Sequence, residues 1–201
     1  MLSRTRRMIL GGIAVTGIGL TLPRKVLALS SGSAEALIDK VVIDINRVIA
    51  SGKSEAAMIR DFKGIFDRYA DNSYIAAFTL GRAAASEASA TQKRSYSDAF
   101  SQYMARKYGK RFREFIGGNI DVSSVSKVKS WYEVDTVVRL SGEPPFNVTF
   151  RVWDRSGKDL FFNMIIEGVN LLIVEKEEIG ALLDKRGGNL DRLIADLKNL
   201  G

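Results

Sequence analysis

The period of the apolar residues changes from helical to strand-like at Ile120, and this change limits the folds open to the chain. Before Ile120, apolar residues recur every three or four positions, as on one face of an amphipathic helix. After it, as far as the strand that ends at Ile166, they follow the pattern of strands, mostly at every second position. Helices in the first half and strands in the second predict an α+β fold, with helices packed on one face of a curved antiparallel sheet.

The helical half divides into segments that end at turn residues. The pattern predicts helices from Ser33 to Ile49, from a Ser54 cap to Tyr69, and from Tyr74 to Leu80. An alanine- and serine-rich segment, 82–91, leads into the longest helix, 92–115. The apolar side of that helix carries Tyr96, Ala99, Phe100, Tyr103, Met104, Tyr108, Phe112 and Phe115.

Three strands are predicted in the second half, over 131–140, 146–153 and 160–166. Turn residues separate them, so consecutive strands pair as an antiparallel meander. The last strand is apolar almost throughout, which favours cover on both of its faces. Alternation places on the face toward the helices Tyr132, Val134, Val138, Leu140, Phe146, Val148, Phe150, Val152, Phe162, Met164 and Ile166.

The tail continues from that strand through a break at Glu167 and Gly168. A second apolar run, 169–174, precedes two amphipathic helices separated by a stop at Gly187 and Gly188. We expect acidic residues on solvent faces, and Glu175, Glu177 and Glu178 as the solvated start of the first of these helices.

The chain contains no cysteine and no histidine. Disulfides, thiolate chemistry, histidine acid–base catalysis and the usual transition-metal ligands are therefore excluded. No glycine-rich phosphate loop follows a strand, and no serine or threonine has an evident activating base. We expect no catalytic residue, no metal site and no enzyme activity, although a hydrolase that uses paired carboxylates stays open as an alternative.

Residues 1–28 have the features of an export signal. Basic residues come first, an apolar core runs from Met8 to Leu22, and small residues precede a cleavage position after Ala28. The run from Thr5 to Leu10 resembles a twin-arginine signal, and an ordinary secretory signal is the alternative. We expect cleavage, a mature domain over 29–201 and a periplasmic location.

The leader also carries most of the basic excess. The whole chain has a formal charge of +7, and residues 1–28 hold five basic residues and no acidic one. Removal of the leader leaves 25 basic and 23 acidic residues, a net charge of +2. A charge this small gives little reason to expect a nucleic-acid partner.

The mature domain has a surplus of aromatic and aliphatic residues in its helices and on one sheet face. For any single residue, an ordinary place in the core is sufficient explanation. Together, these residues would also suit the wall of an apolar pocket between sheet and helices. Periodicity does not separate the two interpretations, and a binding module for a protein or a small polar solute remains an alternative.

The segment from about Ile38 to Leu200 resembles the MlaC family of periplasmic phospholipid-binding proteins, also called toluene-tolerance proteins. The strongest match runs from Phe162 to Leu171, FNMIIEGVNL, with further matches in 66–81 and 187–194. The chain departs from the family pattern at Leu160–Phe162, where Trp-Lys-(Val/Ile) is usual. It also departs at Asn170 and at Ile173–Glu175, where Ser and Asn-Tyr-Arg are usual.

The resemblance implies an MlaC-like fold with an apolar pocket, and a carrier that shuttles diacyl phospholipid between the two membranes of a diderm cell. It also implies an Mla-type ABC transporter complex of the inner membrane and a lipoprotein–porin complex of the outer membrane as partners. Bound phospholipid would be the ligand, with no cofactor. The residues we expect to line the lipid site are Phe66, Tyr69, Tyr74, Phe78, Phe100, Tyr103, Met104, Tyr108, Val134, Val138, Val148, Phe150, Val152, Phe162, Met164, Ile166 and Val169.

Overall fold

A computed structural model of the protein describes residues 28–110 and 118–201. The predicted leader lies almost wholly outside the described residues, and so does the last part of the predicted long helix, with Phe112 and Phe115. Within the described residues, no helix is both long enough and apolar enough to cross a membrane.

The helices of the first half are close to the predicted ones. Serine side chains cap α1 and α5, at Ser30 and Ser89, each in a reciprocal capping box. Ser54 also precedes a helix, but its side chain makes no capping hydrogen bond. Gly81, with φ of 82°, ends α3 in a conformation that favours glycine. The helices are α1 Ser31–Ile49, α2 Glu55–Tyr69, α3 Asn72–Leu80, α4 Arg82–Glu87, α5 Ala90–Gly109, α6 Leu171–Lys185 and α7 Leu190–Leu197.

The strands form one antiparallel meander, in the order in which they occur along the chain. They are β1 Asn119–Val128, β2 Trp131–Arg139, β3 Phe146–Trp153, β4 Leu160–Ile166 and β5 Val169–Asn170. Helix α1 packs across β1, β2 and β3, while α3 and α6 pack against β4. The predicted α+β architecture, with helices packed on an antiparallel sheet, is confirmed.

The apolar run 169–174 is extended over only two residues, because α6 begins at Leu171. The side chain of Asn170 accepts a hydrogen bond from the backbone N–H of Ile173 at 3.3 Å and so caps this helix. Most of the run therefore forms the first turn of α6.

A bulge between β3 and β4 changes which face one predicted residue occupies. Arg151 is opposite Asn163, but the next pair joins Val152 to Phe161, so Phe162 is the extra residue. Phe161 accordingly packs beside Phe150, with ring centroids 5.6 Å apart. The alternation rule had placed Phe162 there, and this part of the prediction was wrong.

Phe162 instead joins an aromatic group beside the neighbouring strands. Its ring stacks on Trp153, with centroids 3.8 Å apart and planes inclined by 16°. Tyr74 and Trp131 contact the same ring edge-on, at 5.8 and 6.0 Å. Aromatic pairs of this geometry stabilise a fold beyond the area that they bury.

A candidate apolar binding cavity

A cavity of about 530 Å³ lies between the sheet and the helices. This volume is within the range of small-molecule sites in proteins, roughly 300–1,000 Å³. Its lining comes from β1 to β4, α1, the end of α5, the β2–β3 loop and the segment that enters α6. The lining residues are Val42, Ile45, Tyr108, Ile120, Thr136, Val138, Leu140, Glu143, Phe146, Val148, Phe150, Met164, Ile166, Glu167, Val169 and Leu171.

The pairing register of the strands places the lining residues of the sheet next to one another. Val148 on β3 is opposite Thr136 on β2 and Ile166 on β4, and all three line the cavity. In the next row, Phe150 is opposite Met164. Residues at every second position share one face, so the alternation read from the sequence places these side chains side by side.

Polar groups in the lining are few. The hydroxyl of Thr136 donates to the carbonyl of Val148 at 2.9 Å and is therefore satisfied within the sheet. Glu143 and Glu167 are exposed, and Val169 is 50% exposed. The cavity thus has an apolar interior and one end that reaches solvent.

The residues of the predicted lipid site occupy three different places. Seven of them line this cavity: Tyr108, Val138, Val148, Phe150, Met164, Ile166 and Val169. Met164 also borders a second, much smaller pocket of about 20 Å³. Four more of the predicted residues line that pocket alone: Phe66, Phe100, Met104 and Phe162.

The remaining six line neither space. Val134 and Val152 are fully buried in the core. The hydroxyl of Tyr69 donates to Asp44 at 2.8 Å, and that of Tyr103 donates to Glu178 at 2.6 Å. The rings of Tyr74 and Phe78 contact each other, with centroids 6.0 Å apart.

Sequence reasoning did not assign several lining residues to the site. Leu140 and Phe146 were on the predicted cavity face and could have been included by the same period. Thr136 occupies the position between Val134 and Val138 on that face. It was not predicted because the prediction considered only apolar side chains. The others are Val42, Ile45, Ile120, Glu143, Glu167 and Leu171.

Glu175 is not the solvated residue that the sequence predicted, because its side chain is only 1% exposed. Its Oε1 accepts hydrogen bonds from Lys107, at 2.8 Å, and from the hydroxyl of Tyr108. Its Oε2 has no hydrogen-bond partner among the described residues. Helix α6 packs against α3 and β4, and the side chains of Lys107 and Tyr108 reach Glu175 from α5, so this acid is buried while Glu177 is exposed.

The groups that contact Glu175 have shifted pKa values. Burial alone would lower the pKa of Lys107, but its hydrogen bonds to Glu175 and Glu178 outweigh burial and raise it. Burial and the hydrogen bond to Glu175 both raise the pKa of the Tyr108 hydroxyl, so it stays protonated as a donor. This group ties the end of α5 to the start of α6, beside the cavity.

No cluster of acidic side chains in 28–110 and 118–201 is suited to hold a metal ion. The lining of the cavity is an apolar surface with one end that faces solvent. Such a site suits a ligand with an apolar body and a polar end.

Comparisons with known proteins agree with this geometry. The fold matches that of a phospholipid-binding protein from Ralstonia solanacearum, whose structure contains a bound phospholipid. The match has a TM-score of 0.68 at 20% sequence identity and covers 82% of this chain and 98% of the other. The family model for the MlaC protein matches residues 35–199. This chain therefore belongs to the MlaC family.

Proposed function

We propose that this protein binds a diacyl phospholipid, with the acyl tails in the cavity between sheet and helices and the headgroup at the solvent-facing end. The observation that carries the proposal is the cavity itself, about 530 Å³ in volume and apolar apart from Thr136, Glu143, Glu167 and the hydroxyl of Tyr108, which is bonded to Glu175. The phospholipid in the Ralstonia solanacearum protein, which has the same fold, supports the choice of ligand.

The physical need for such a cavity is large. Each methylene group exposed to water costs about 0.8 kcal/mol, so two tails with some thirty carbons cost on the order of 20 kcal/mol. A protein cavity that covers the tails removes most of that barrier. Selectivity would rest on tail shape, because the interior has few groups to which a headgroup could bind.

The biological step that we propose is transport. The protein would carry phospholipid through the periplasm between an ABC transporter complex of the inner membrane and a lipoprotein–porin complex of the outer membrane. Family membership and the export signal predicted in residues 1–28 support this role. Release would need a change of shape or contact with a partner, since escape of the tails into water is slow.

Adjacent isoleucines in β4 provide a matched test of binding. Ile165 and Ile166 are both half-buried, but only Ile166 lines the cavity, because successive residues of a strand point to opposite faces. The full chain, Ile166→Asp and Ile165→Asp would be expressed in a bacterium with two membranes and purified without detergent. Native mass spectrometry and analysis of an organic extract would then measure bound lipid.

We expect about one phospholipid per protein in the unchanged chain and in Ile165→Asp, and a loss of at least tenfold in Ile166→Asp. Circular dichroism would establish that all three are folded. A lipid-free unchanged protein that stays lipid-free after incubation with phospholipid vesicles would refute the proposed function. Equal lipid in both variants would refute the assignment of this cavity.

A further inference from the structure

The large cavity and the small pocket are consecutive parts of one crevice. Along β4, Phe161 borders only the small pocket, Met164 borders both spaces and Ile166 borders only the large cavity. The segment that enters α6 borders the same two spaces, but in the opposite order along the chain. There Val169 borders the large cavity, Leu171 borders both spaces, and Leu172 and Glu175 border the small pocket.

Residues along α5 also border first the small pocket and then the large cavity. Phe100 and Met104 border the small pocket, and Tyr108 borders the large cavity. These residues are four positions apart and so follow one side of the helix, at steps of about 6 Å. The order of lining residues on β4, α5 and the start of α6 therefore places the small pocket next to the large cavity, as an extension of it. Met164 and Leu171 stand at the junction.

The small pocket is too narrow for a lipid tail as it stands. Its volume of about 20 Å³ has room for about one water molecule. Its walls are nevertheless apolar over most of their area, with Phe66, Phe100, Met104 and Phe161 among them. A tail could therefore enter only if a side chain that borders this pocket were removed or displaced.

One part of the wall of the small pocket is polar. Glu175 borders the pocket near its junction with the large cavity, because its Oε1 accepts a hydrogen bond from Tyr108 of the large cavity wall. It is almost fully buried, and its Oε2 has no hydrogen-bond partner among the described residues. An alkyl chain pressed against this carboxylate would remove any remaining hydration, at a large cost in free energy. A tail that enters the small pocket is therefore expected to lie against its aromatic and aliphatic walls and away from Glu175.

We infer that Met164, together with Leu171, forms a partition that sets the length of acyl chain the cavity accepts. The inference rests on the proposed function. Met164 is half-buried and has three rotatable side-chain bonds, so it closes the small pocket to ordinary tails and is the side chain whose loss would open it. A chain that passes the partition gains the apolar surface of the small pocket, which includes Phe66, Phe100 and Phe161.

Removal of the partition tests this inference. The full chain and Met164→Ala would be incubated with vesicles that contain two phosphatidylethanolamines with saturated tails, one longer by two methylene groups per chain. Native mass spectrometry would give the ratio of the two bound lipids. We expect the ratio to shift toward the longer lipid in Met164→Ala, by up to about fourfold for each newly covered methylene.

Two further variants make the outcome decisive. Leu171→Ala removes the other half of the partition and should shift the ratio in the same direction, so it decides the matter if Met164→Ala does not fold. Met58→Ala removes a buried methionine that borders neither space, and it should keep the unchanged ratio. Unchanged ratios in both partition variants, with lipid bound, would overturn the inference. Absence of lipid from the unchanged protein would instead refute the proposed function.

Discussion

The ammonium group of Lys107 lies 2.8 Å from Oε1 of Glu175, a carboxylate that is almost completely removed from solvent. The same ammonium group contacts Glu178, and Tyr108 donates to Glu175 from the next position of α5. These contacts join α5 to α6 at the place where Tyr108 and Leu171 contribute to the cavity wall. The ionic group therefore holds part of that wall in position.

Lys107→Met should destabilise the fold strongly, because it leaves the Glu175 carboxylate buried without a counter-charge. Loss of one partner from a buried pair costs about 3–5 kcal/mol, and partial exposure of Lys107 favours the lower value. Urea denaturation followed by circular dichroism would measure the change in the free energy of unfolding. A change below about 0.5 kcal/mol, typical of surface substitutions, would contradict this role.

The double variant Lys107→Met with Glu175→Met is the matched control for this pair. It removes both charges and keeps apolar volume, so we expect it to recover most of the stability lost in Lys107→Met. The double-mutant cycle isolates the coupling between the two residues. Additive losses would show that the pair contributes no coupling.

The same group predicts a loss of stability in acid. Burial alone would raise the pKa of Glu178, but hydrogen bonds from Lys107 and Tyr103 outweigh burial and lower it below the ordinary 4.5. A carboxyl whose pKa is lower in the folded state stabilises the fold fully above its unfolded pKa. That contribution is lost as the pH falls through the folded pKa. Lys107 has a raised pKa, so its own contribution is lost only above 10.5.

Glu178→Gln provides the measurement. We expect its deficit in unfolding free energy, relative to the unchanged protein, to be constant near neutral pH and to shrink below 4.5. Urea titrations at a series of pH values would follow the difference. A deficit that stays constant down to the acid limit of folding would contradict the lowered pKa of Glu178.

The strands and their cavity face could be predicted because alternation is a local property of the sequence. Thr136, Val148 and Ile166 occupy the same row of the sheet once consecutive strands pair. The bulge at Phe162 could not be predicted in this way, since it depends on how β4 pairs with β3. A single extra residue there moved Phe161 to the face assigned to Phe162.

The burial of Glu175 also could not be predicted from the sequence pattern. Its position among acidic residues at a helix start is typical of a solvated turn. Its partner Lys107 lies on a different helix, 68 positions away in the chain. The contributions of Val42 and Ile45 were missed for a related reason. A helical period identifies an apolar side but does not say which part of it faces a cavity and which part is packed.

Asp71 is the next residue for which we expect a large effect. Its buried carboxylate accepts hydrogen bonds from the backbone N–H of Tyr74 at 3.2 Å, from Nε1 of Trp153 at 3.0 Å and from the hydroxyl of Ser156. Asp71→Ala removes the cap of α3 and leaves the buried indole N–H unsatisfied. The two losses together predict about 2–4 kcal/mol of destabilisation.

Asp71→Asn is the matched comparison, because the amide oxygen still accepts hydrogen bonds while the charge is lost. We expect a smaller loss than in Asp71→Ala, measured by the same urea titrations. Equal stability of Asp71→Ala and the unchanged protein would show that these three hydrogen bonds contribute little.

Removal of lipid should lower the stability of the protein through binding linkage alone. A ligand that binds only the folded state stabilises it by about 2.7 kcal/mol when its free concentration is a hundred times Kd. Protein stripped of lipid by organic extraction and refolded would be compared with the same protein reloaded from vesicles, by thermal denaturation. We expect a higher Tm after reloading in the unchanged protein and in Ile165→Asp. Ile166→Asp should show the same Tm before and after, since its carboxylate would lie in the cavity. A rise in Tm for Ile166→Asp equal to that of Ile165→Asp would place the bound lipid elsewhere on the molecule.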